Sequence, residues 1–267
     1  MKKLIYLFPL LIVFLFQGCG DEVDSPASGS AKVNFYLVDA PGDFEEVWIE
    51  ILAIRVLMND AAEDDESEWI EVPYNENDRY VNLLTLVGEK SEFLGTEDLP
   101  EGEIKQIRLV LGDDNFVVID GERSDLKTPS AQQSGLKIKV DEPVQSGQVY
   151  GLVIDFDVEK SIVVAGNSGN IILKPVLRAY MEESATGVMG QVLPVEAQPI
   201  GVKMVGAGEE YNTQVDDDGN FKILGVEDGL YSLEISPNNT YKALTIENVA
   251  VENGKIKVID PIVLEVN

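Results

Sequence analysis

Two aspartates, Asp155 and Asp157, are spaced so that an extended strand would place both on one face, roughly 7 Å apart. Calcium prefers about six to eight oxygen ligands, and backbone carbonyls with another polar side chain from the loop at residues 113–115 would complete such a set. Cross-strand ion pairs explain the same two residues without any ligand, and both interpretations stay open. The basic side chains available for such pairs are Lys137, Lys139, Lys174 and Arg178.

A second candidate site is the loop from Asp39 to Asp43, which directly follows a predicted strand. Its Pro41-Gly42 step predicts a turn with positive φ at Gly42, and its acids can cap that turn by accepting backbone N–H bonds. A stiff loop on a rigid scaffold can also form one wall of a ligand cleft.

A third candidate is the polar segment that contains Ser130, Gln132 and Ser134. Its hydroxyl and amide groups carry little bulk, which suits hydrogen bonding to a sugar or to an extended peptide. A plain polar connection between strands would have the same composition.

The chain contains no histidine, and this removes the commonest general base and the commonest zinc ligand. We therefore expect a non-catalytic protein without a required cofactor. A glycan-processing enzyme that uses two carboxylates is the alternative, since glycoside hydrolysis needs only that pair. Of the two tryptophans, we expect Trp48 in the core and Trp69 exposed, where it could stack on a sugar.

The amino terminus has the pattern of an export signal over residues 1–18: Lys2 and Lys3, then an apolar run that is short for a membrane span. The only cysteine, Cys19, follows directly. This arrangement resembles the lipobox of bacterial lipoproteins and implies cleavage before Cys19, acylation of that residue and a lipid anchor in the bacterial outer membrane. A plain secretory signal is the alternative.

Residues 19–31 are predicted to form an acidic flexible tether. The acids behind Cys19 resemble the short signal with which Bacteroidetes send lipoproteins to the cell surface, and a solvated linker explains them equally well. The sequence thus leaves both the surface and the periplasmic location open.

Acidity dominates the chain: 20 basic and 48 acidic residues give a net charge of −28. Removal of residues 1–18 takes away two lysines and no acid, which leaves −30. Such a charge repels nucleic acid and anionic headgroups at long range, so we exclude a nucleic-acid partner. A single cysteine allows no disulfide within the chain, and each domain must rely on its own core.

Short apolar alternations separated by turn residues predict an all-β protein with two tandem β-sandwich domains of the immunoglobulin or transthyretin type. The first spans residues 32–182 and the second 186–267. Residues 47–57 are apolar on both faces and predict a central strand, whereas residues 59–68 are too charged for a core and predict an exposed loop. The Asp218-Gly219 step predicts a hairpin.

Four sequence blocks in residues 31 to about 180 resemble the bacterial domain-of-unknown-function family 4382, which implies an exported, often lipid-anchored protein of unsettled activity. The blocks begin at Leu37, Gln106, Thr128 and Asp155. Residues 186–263 resemble the carboxypeptidase-regulatory-like, transthyretin-like sandwich through Gly190-Gln191-Val192 and Gly229-Leu230-Tyr231. That resemblance implies an accessory domain without catalysis.

We therefore expect an envelope or cell-surface lipoprotein whose first sandwich binds a partner, either a glycan or an envelope protein. The second sandwich would act as a spacer or docking module. A structural, fimbria-like subunit that assembles through open strand edges is a further alternative.

Overall fold

The computed structural model describes residues 29–40, 42, 44–59, 61–74, 79–88, 90–128, 135–165 and 170–267. Several predicted features lie outside these ranges: the signal peptide, Cys19, Asp43, Ser130, Gln132 and Ser134. The tether prediction extends two residues too far, because Ser30 and Ala31 already belong to the first strand and Ala31 is fully buried.

The first domain contains two facing sheets. The smaller consists, within the described residues, of β1 (Ser30–Ala40), β5 (Glu92–Pro100), β10 (Val149–Asp157) and β13 (Leu177–Met181). Its order is β13-β10-β1-β5, and β1 runs parallel to β10 but antiparallel to β5.

The larger sheet has the order β11-β12-β8-β7-β2-β6-β9, with β3 and β4 also paired to β2. Its described strands are β2 (Glu46–Met58), β3 (Trp69–Val72), β4 (Tyr80–Asn82), β6 (Gly102–Leu111), β7 (Phe116–Ile119), β8 (Glu122–Lys127), β9 (Leu136–Val144), β11 (Ile162–Ala165) and β12 (Asn170–Leu173).

The core lies between these sheets and follows from strict alternation along their strands. In β1, Val33, Phe35 and Leu37 are fully buried, and the residues between them are only half-buried. They pack in one apolar cluster with Ile49 and Ile54 of β2. Burial of each large apolar side chain contributes roughly 1.5–3 kcal/mol, so the pattern of alternation decides which face turns inward.

The central position predicted for residues 47–57 is confirmed, because β2 has partners on both sides. The second face of β2 is less covered than predicted: Leu52 is 48% exposed. A register shift between Ile51 and Ala53 marks the same place.

The second domain has its own core, which includes Val188 and Phe221, whereas the apolar cluster of the first domain ends at Met181. One described sheet has the order β17-β14-β20 with β21 paired to β14, and the other has the order β16-β15-β18-β19. The strands are β14 (Gly187–Leu193), β15 (Gly201–Gly206), β16 (Glu209–Gln214), β17 (Asn220–Leu224), β18 (Gly229–Ser236), β19 (Leu244–Val251), β20 (Ile256–Val258) and β21 (Ile262–Val263).

The hairpin predicted at Asp218-Gly219 is wrong, although the turn is present. Gly219 has φ +82°, and Asp216 accepts backbone N–H bonds from Asp218 and Asn220 at 3.0 and 2.8 Å. The strands on either side, β16 and β17, belong to different sheets, so the chain crosses from one sheet to the other here.

Short helical turns connect the strands. They are a one-turn helix, α1 (Val158–Ser161), and 3-10 turns at Glu66–Glu68, Leu83–Thr85, Glu182–Ser184 and Val195–Ala197. None of the helices in the described ranges has the length and apolar character needed to cross a membrane.

Candidate functional site

Two of the predicted site residues, Asp39 and Asp157, hold α1 in place at the end of β1 and β10. Asp39 Oδ1 accepts a hydrogen bond from the Val158 amide at 3.3 Å. Asp157 Oδ1 accepts one from the Lys160 amide at 3.0 Å, and its other oxygen pairs with the Lys160 ammonium at 3.1 Å. Asp39, near the end of β1, therefore caps α1, the helix that follows the neighbouring strand β10.

Asp155 forms an ion pair with Arg178, which lies directly opposite it on β13. The Arg178 Nε–H donates to Asp155 Oδ2 at 2.9 Å, and Nη2 donates to the same oxygen. The cross-strand interpretation is confirmed for this residue. Among the described residues, no group of three or more acidic, histidine or cysteine side chains could hold a metal ion, so the structure gives the calcium interpretation no support.

The face of β10 that carries Asp155 is covered by the second domain. Val153 and Asp155 are 3% and 7% exposed although they point away from the first core. The Arg178 guanidinium also lies over the Tyr211 ring, 4.6 Å from its centroid. Burial raises the pKa of the Asp155 carboxyl in spite of the nearby Arg178. The polar face predicted for this strand is therefore an interface between domains.

A cavity of about 70 Å³ lies in this interface, lined by Asp39 and Asp155 from the first domain and by Asn212 from the second. One water needs about 10–15 Å³ of such space, so the cavity has room for several waters.

A larger cleft of about 440 Å³ opens beside α1, between the two domains. Gly42 and Glu159 form the wall on the first domain. The wall on the second domain is polar and comprises Lys203, Asn212, Thr213, Gln214, Ser236 and Asn238, among others. Its volume falls within the range of about 300–1,000 Å³ that is usual for sites of small ligands.

Gly42 permits its loop to approach α1 within the first domain. A Cβ there would lie 3.3 Å from the Glu159 Cα and 3.1 Å from the Phe44 ring. The positive φ predicted for Gly42 is wrong, since its φ lies outside that region. The glycine is used for close approach of the backbone and not for a left-handed turn.

Asn212 is the polar group in the cleft that is least satisfied. It is 7% exposed, and neither amide atom makes a hydrogen bond of normal geometry to any described residue. The amide lies near Glu210, whose pKa is lowered mainly by Lys203 and to a smaller degree by Asn212. Buried amides without partners cost roughly 1–3 kcal/mol, so this one calls for a partner.

An ion pair fixes the rim of the cleft. Lys203 Nζ lies 2.7 Å from Glu210 Oε1, and Lys160 Nζ of α1 donates to the Glu210 carbonyl across the domain boundary. The Glu210 carboxylate raises the pKa of Lys203, which therefore stays protonated. The cleft thus combines a fixed cation and a fixed carboxylate with amide and hydroxyl groups, which suits a ligand rich in hydroxyls.

The placement of the two tryptophans is the reverse of the prediction. Trp69 is 8% exposed, its indole N–H donates to the Glu63 carbonyl at 3.2 Å, and the Arg108 guanidinium lies 4.0 Å from its ring centroid. Trp48 is half-buried on the outer face of β2, where it stacks on Phe116 with centroids 6.0 Å apart. Trp69 cannot stack on a sugar.

The residues of the second domain that line the cleft were not predicted from the sequence. Lys203, Asn212 and Gln214 occupy outward positions of β15 and β16, where polar side chains normally face solvent. The prediction that the loop at Asp39 forms a wall of a cleft agrees with the position of Gly42. Asp43, Ser130, Gln132 and Ser134 cannot be placed, because they lie outside the described residues.

A protein-family model described as "Domain of unknown function (DUF4382)" matches residues 30–175. No curated protein matches the chain. Among solved structures, a type II cohesin–X-dockerin complex from Acetivibrio cellulolyticus is 22% identical and covers 31% of this chain and 58% of its own, with a TM-score of 0.25. This chain therefore spans little more than half the length of that structure.

Two further similarities span more of this chain. The Bacillus anthracis TIE protein is 13% identical over 87% of this chain and 33% of its own, with a TM-score of 0.21. The shaft pilin SpaA from Lactobacillus rhamnosus GG is 9% identical over 90% of this chain and 98% of its own, also at 0.21. TM-scores this low support no argument about the fold or the function of this chain.

Proposed function

This chain belongs to the family described as domain of unknown function (DUF4382), and from the cleft beside its α1 we propose that it is a non-catalytic envelope protein that binds a glycan. The observation that carries the proposal is the Asn212 amide: the residue lines the 440 Å³ cleft, and its amide has no normal hydrogen bond among the described residues. The amide atoms are covered from solvent, so a sugar would have to displace the side chains over them. A sugar hydroxyl can both donate to the amide oxygen and accept from the amide nitrogen.

The surroundings of Asn212 favour a neutral glycan over an ionic ligand. The charged groups at the rim, Lys203 and Glu210, already neutralise each other. The remaining polar groups of the second-domain wall are amides and hydroxyls. Amides and hydroxyls recognise sugar hydroxyls through directional hydrogen bonds and not through charge.

The second domain has a larger role in this proposal than that of a spacer, because it supplies one wall of the site. We also propose that residues 186–267 are a carboxypeptidase-regulatory-like sandwich, on the strength of the Gly190-Gln191-Val192 and Gly229-Leu230-Tyr231 motifs. The contact of the Arg178 guanidinium with the Tyr211 ring and the Lys160 bond to Glu210 support a fixed arrangement of the two domains.

The proposed location is the bacterial outer membrane, with a lipid on Cys19. The support is the sequence of residues 1–19, with its basic start, apolar run and single cysteine. Labelling with radioactive palmitate in the native host, and loss of the label in Cys19→Ser, test the anchor. Protease treatment of intact cells then distinguishes display at the surface, where the protein is cut, from a periplasmic location.

The glycan proposal is tested with Asn212→Leu, a change of similar size that removes the unsatisfied amide. We expect binding to at least one neutral polysaccharide in a panel of galactomannan, xyloglucan, dextran and laminarin. Loss of two hydrogen bonds should weaken this binding about 10-fold or more. Thermal stability should stay equal or rise, because a buried polar group without a partner is removed.

The matched control is Gln148→Leu, which replaces an exposed amide in the turn between β9 and β10. This variant should bind like the unchanged protein. The proposal would be refuted if the unchanged protein bound none of the four polysaccharides, or if Asn212→Leu bound them with the same affinity as the unchanged protein. Product formation from a bound polysaccharide would instead favour the enzyme alternative.

A further inference from the structure

Three basic residues form a row across the larger sheet, called here the cation row: Arg55, Arg108 and Lys137. Arg108 on β6 lies directly opposite Arg55 on β2 and directly opposite Lys137 on β9. Neighbouring strands are about 4.8 Å apart, and like charges placed opposite each other destabilise a sheet. The row therefore requires anions.

The chain supplies these anions from residues 61–68, called here the acidic strap. Glu66 pairs with both arginines: one oxygen lies 2.6 Å from Arg108 Nη1 and the other 3.0 Å from Arg55 Nη1. Glu63 pairs with Lys137. The strap was predicted to be an exposed loop, and its side chains are indeed exposed, but two of its acids lie on the cation row.

The contacts of the strap are weak ones. The side chains of Glu66 and Glu63 are 63% and 44% exposed. Exposed ion pairs contribute little to stability, because water competes for both charges. A ligand with several carboxylates can therefore displace both glutamates at small cost.

Arg108 has the properties of a built anion site. Its side chain is 5% exposed, and its guanidinium is held flat against the Trp69 ring. Its Nε–H makes no hydrogen bond to any described residue. A guanidinium has five N–H donors in a fixed plane, and because the Nε–H of Arg108 is covered, a carboxylate would reach Arg108 through the Nη groups, of which Nη1 now pairs with Glu66.

We infer that the cation row is a binding site for a polycarboxylate glycan, one built from uronic acid residues, and that the acidic strap occupies this site when the glycan is absent. Carboxylate is the chemistry of the resident groups, Glu63 and Glu66. The spacing of about 5 Å between cations on adjacent strands is close to the length of one sugar residue, so successive uronates can follow the row.

The net charge of −28 opposes the approach of a polyanion, and the strap competes for the same cations. Affinity in the unchanged protein is therefore low. The affinity for the polyanion should increase when the strap loses its charge, so the experiment changes residues of the strap. The cation row is on the larger sheet, and its occupancy does not depend on the cleft that contains Asn212.

The test compares the purified full chain with Glu63→Gln/Glu66→Gln, using polygalacturonate as the probe. We expect the double variant to bind about 5-fold more tightly, as follows from removing two competing exposed ion pairs. Methyl-esterified polygalacturonate has the same backbone without the charge and should not bind. Adding Lys137→Gln to the double variant should reverse the gain.

Thermal melting of each variant identifies any failure to fold, and Glu101→Gln/Glu247→Gln, which removes two exposed acids outside the strap, controls for the change in net charge. If Glu63→Gln/Glu66→Gln binds no more tightly than Glu101→Gln/Glu247→Gln does, or binds the esterified polymer equally, the inference is wrong. Neither result bears on neutral glycans in the cleft, so the two proposals fail separately.

Discussion

The ion pair between Asp155 and Arg178 allows a sharp test of what a buried charge pair of the first domain contributes where the second domain covers it. Asp155→Leu leaves the Arg178 charge in an interface where the carboxylate was 7% exposed. Breaking one side of a buried pair costs about 3–5 kcal/mol. We expect the lower end, about 3 kcal/mol, because the Arg178 side chain is 26% exposed and keeps its contact with Tyr211.

The double variant Asp155→Leu/Arg178→Met should recover most of this loss. An apolar pair avoids the desolvation of two charges, and such replacements are often neutral or stabilising. The raised pKa of Asp155 also supports this expectation, because burial disfavours the charged carboxylate more than the attraction of Arg178 favours it. We therefore expect the double variant to lie within about 1 kcal/mol of the unchanged protein.

Thermal and urea denaturation of Asp155→Leu, Arg178→Met and the double variant, each compared with the unchanged protein, measure this double-mutant cycle. For a protein of this size, 3 kcal/mol corresponds to a fall in Tm of roughly 6–12 °C. The raised pKa of Asp155 also means that the stability of the unchanged protein should fall as the pH rises from 3.8 through the raised value, because burial disfavours the charged carboxylate. A single variant that costs under about 1 kcal/mol, or a double variant as unstable as the single ones, would refute the reasoning.

Two smaller predictions concern contacts elsewhere in the fold. Gly225→Ala should destabilise the protein by at least about 1 kcal/mol more than Gly254→Ala does, as measured by urea denaturation. Both glycines have nearly the same φ, +68° and +67°, but a Cβ would lie 2.2 Å from the Tyr180 ring at the first and near no atom at the second. Glu63 and Glu66 are hydrogen-bonded to the cation row, which lowers their pKa below the usual 4.5. Their contribution to stability is therefore present above 4.5 and is lost as the pH falls through the lowered values, and melts of the unchanged protein and of Glu63→Gln/Glu66→Gln should converge in acid.

The alternation of apolar residues was enough to predict the all-β fold, because each strand buries one face and the period of two survives in the sequence. The central position of β2 followed from its length and its apolar content. These features depend on neighbours in the sequence, which is the information a single sequence contains.

The errors concern contacts between segments far apart in the sequence. Asp155 looked solvent-facing because its strand alternates, yet the second domain covers it. The Asp218-Gly219 turn was found, but the sheet to which each flanking strand belongs depends on pairing with β14 and β15. Trp69 appeared exposed because it follows the acidic strap, and only the structure shows Arg108 beneath its ring.

The candidate site could be predicted only in part for the same reason. For the loop at Asp39, a turn capped by its own acids was favoured and a cleft wall was the alternative, and Gly42 lies in such a wall. Asn212 gave no signal, since an asparagine on an outward strand position resembles any solvated residue. Its importance comes from the fit of two separately folded cores, which local sequence does not encode.

The length of β1 has a consequence for how the proposed anchored protein meets its surroundings. The chain enters this strand at Ser30 and leaves it after Ala40, beside α1 and the cleft. Eleven residues at about 3.3 Å each span roughly 35 Å. In the proposed anchored protein, this length would place the cleft several headgroup-layer depths away from the end of β1 that is nearer the lipid. Long polymers outside the membrane would then be within reach of the cleft.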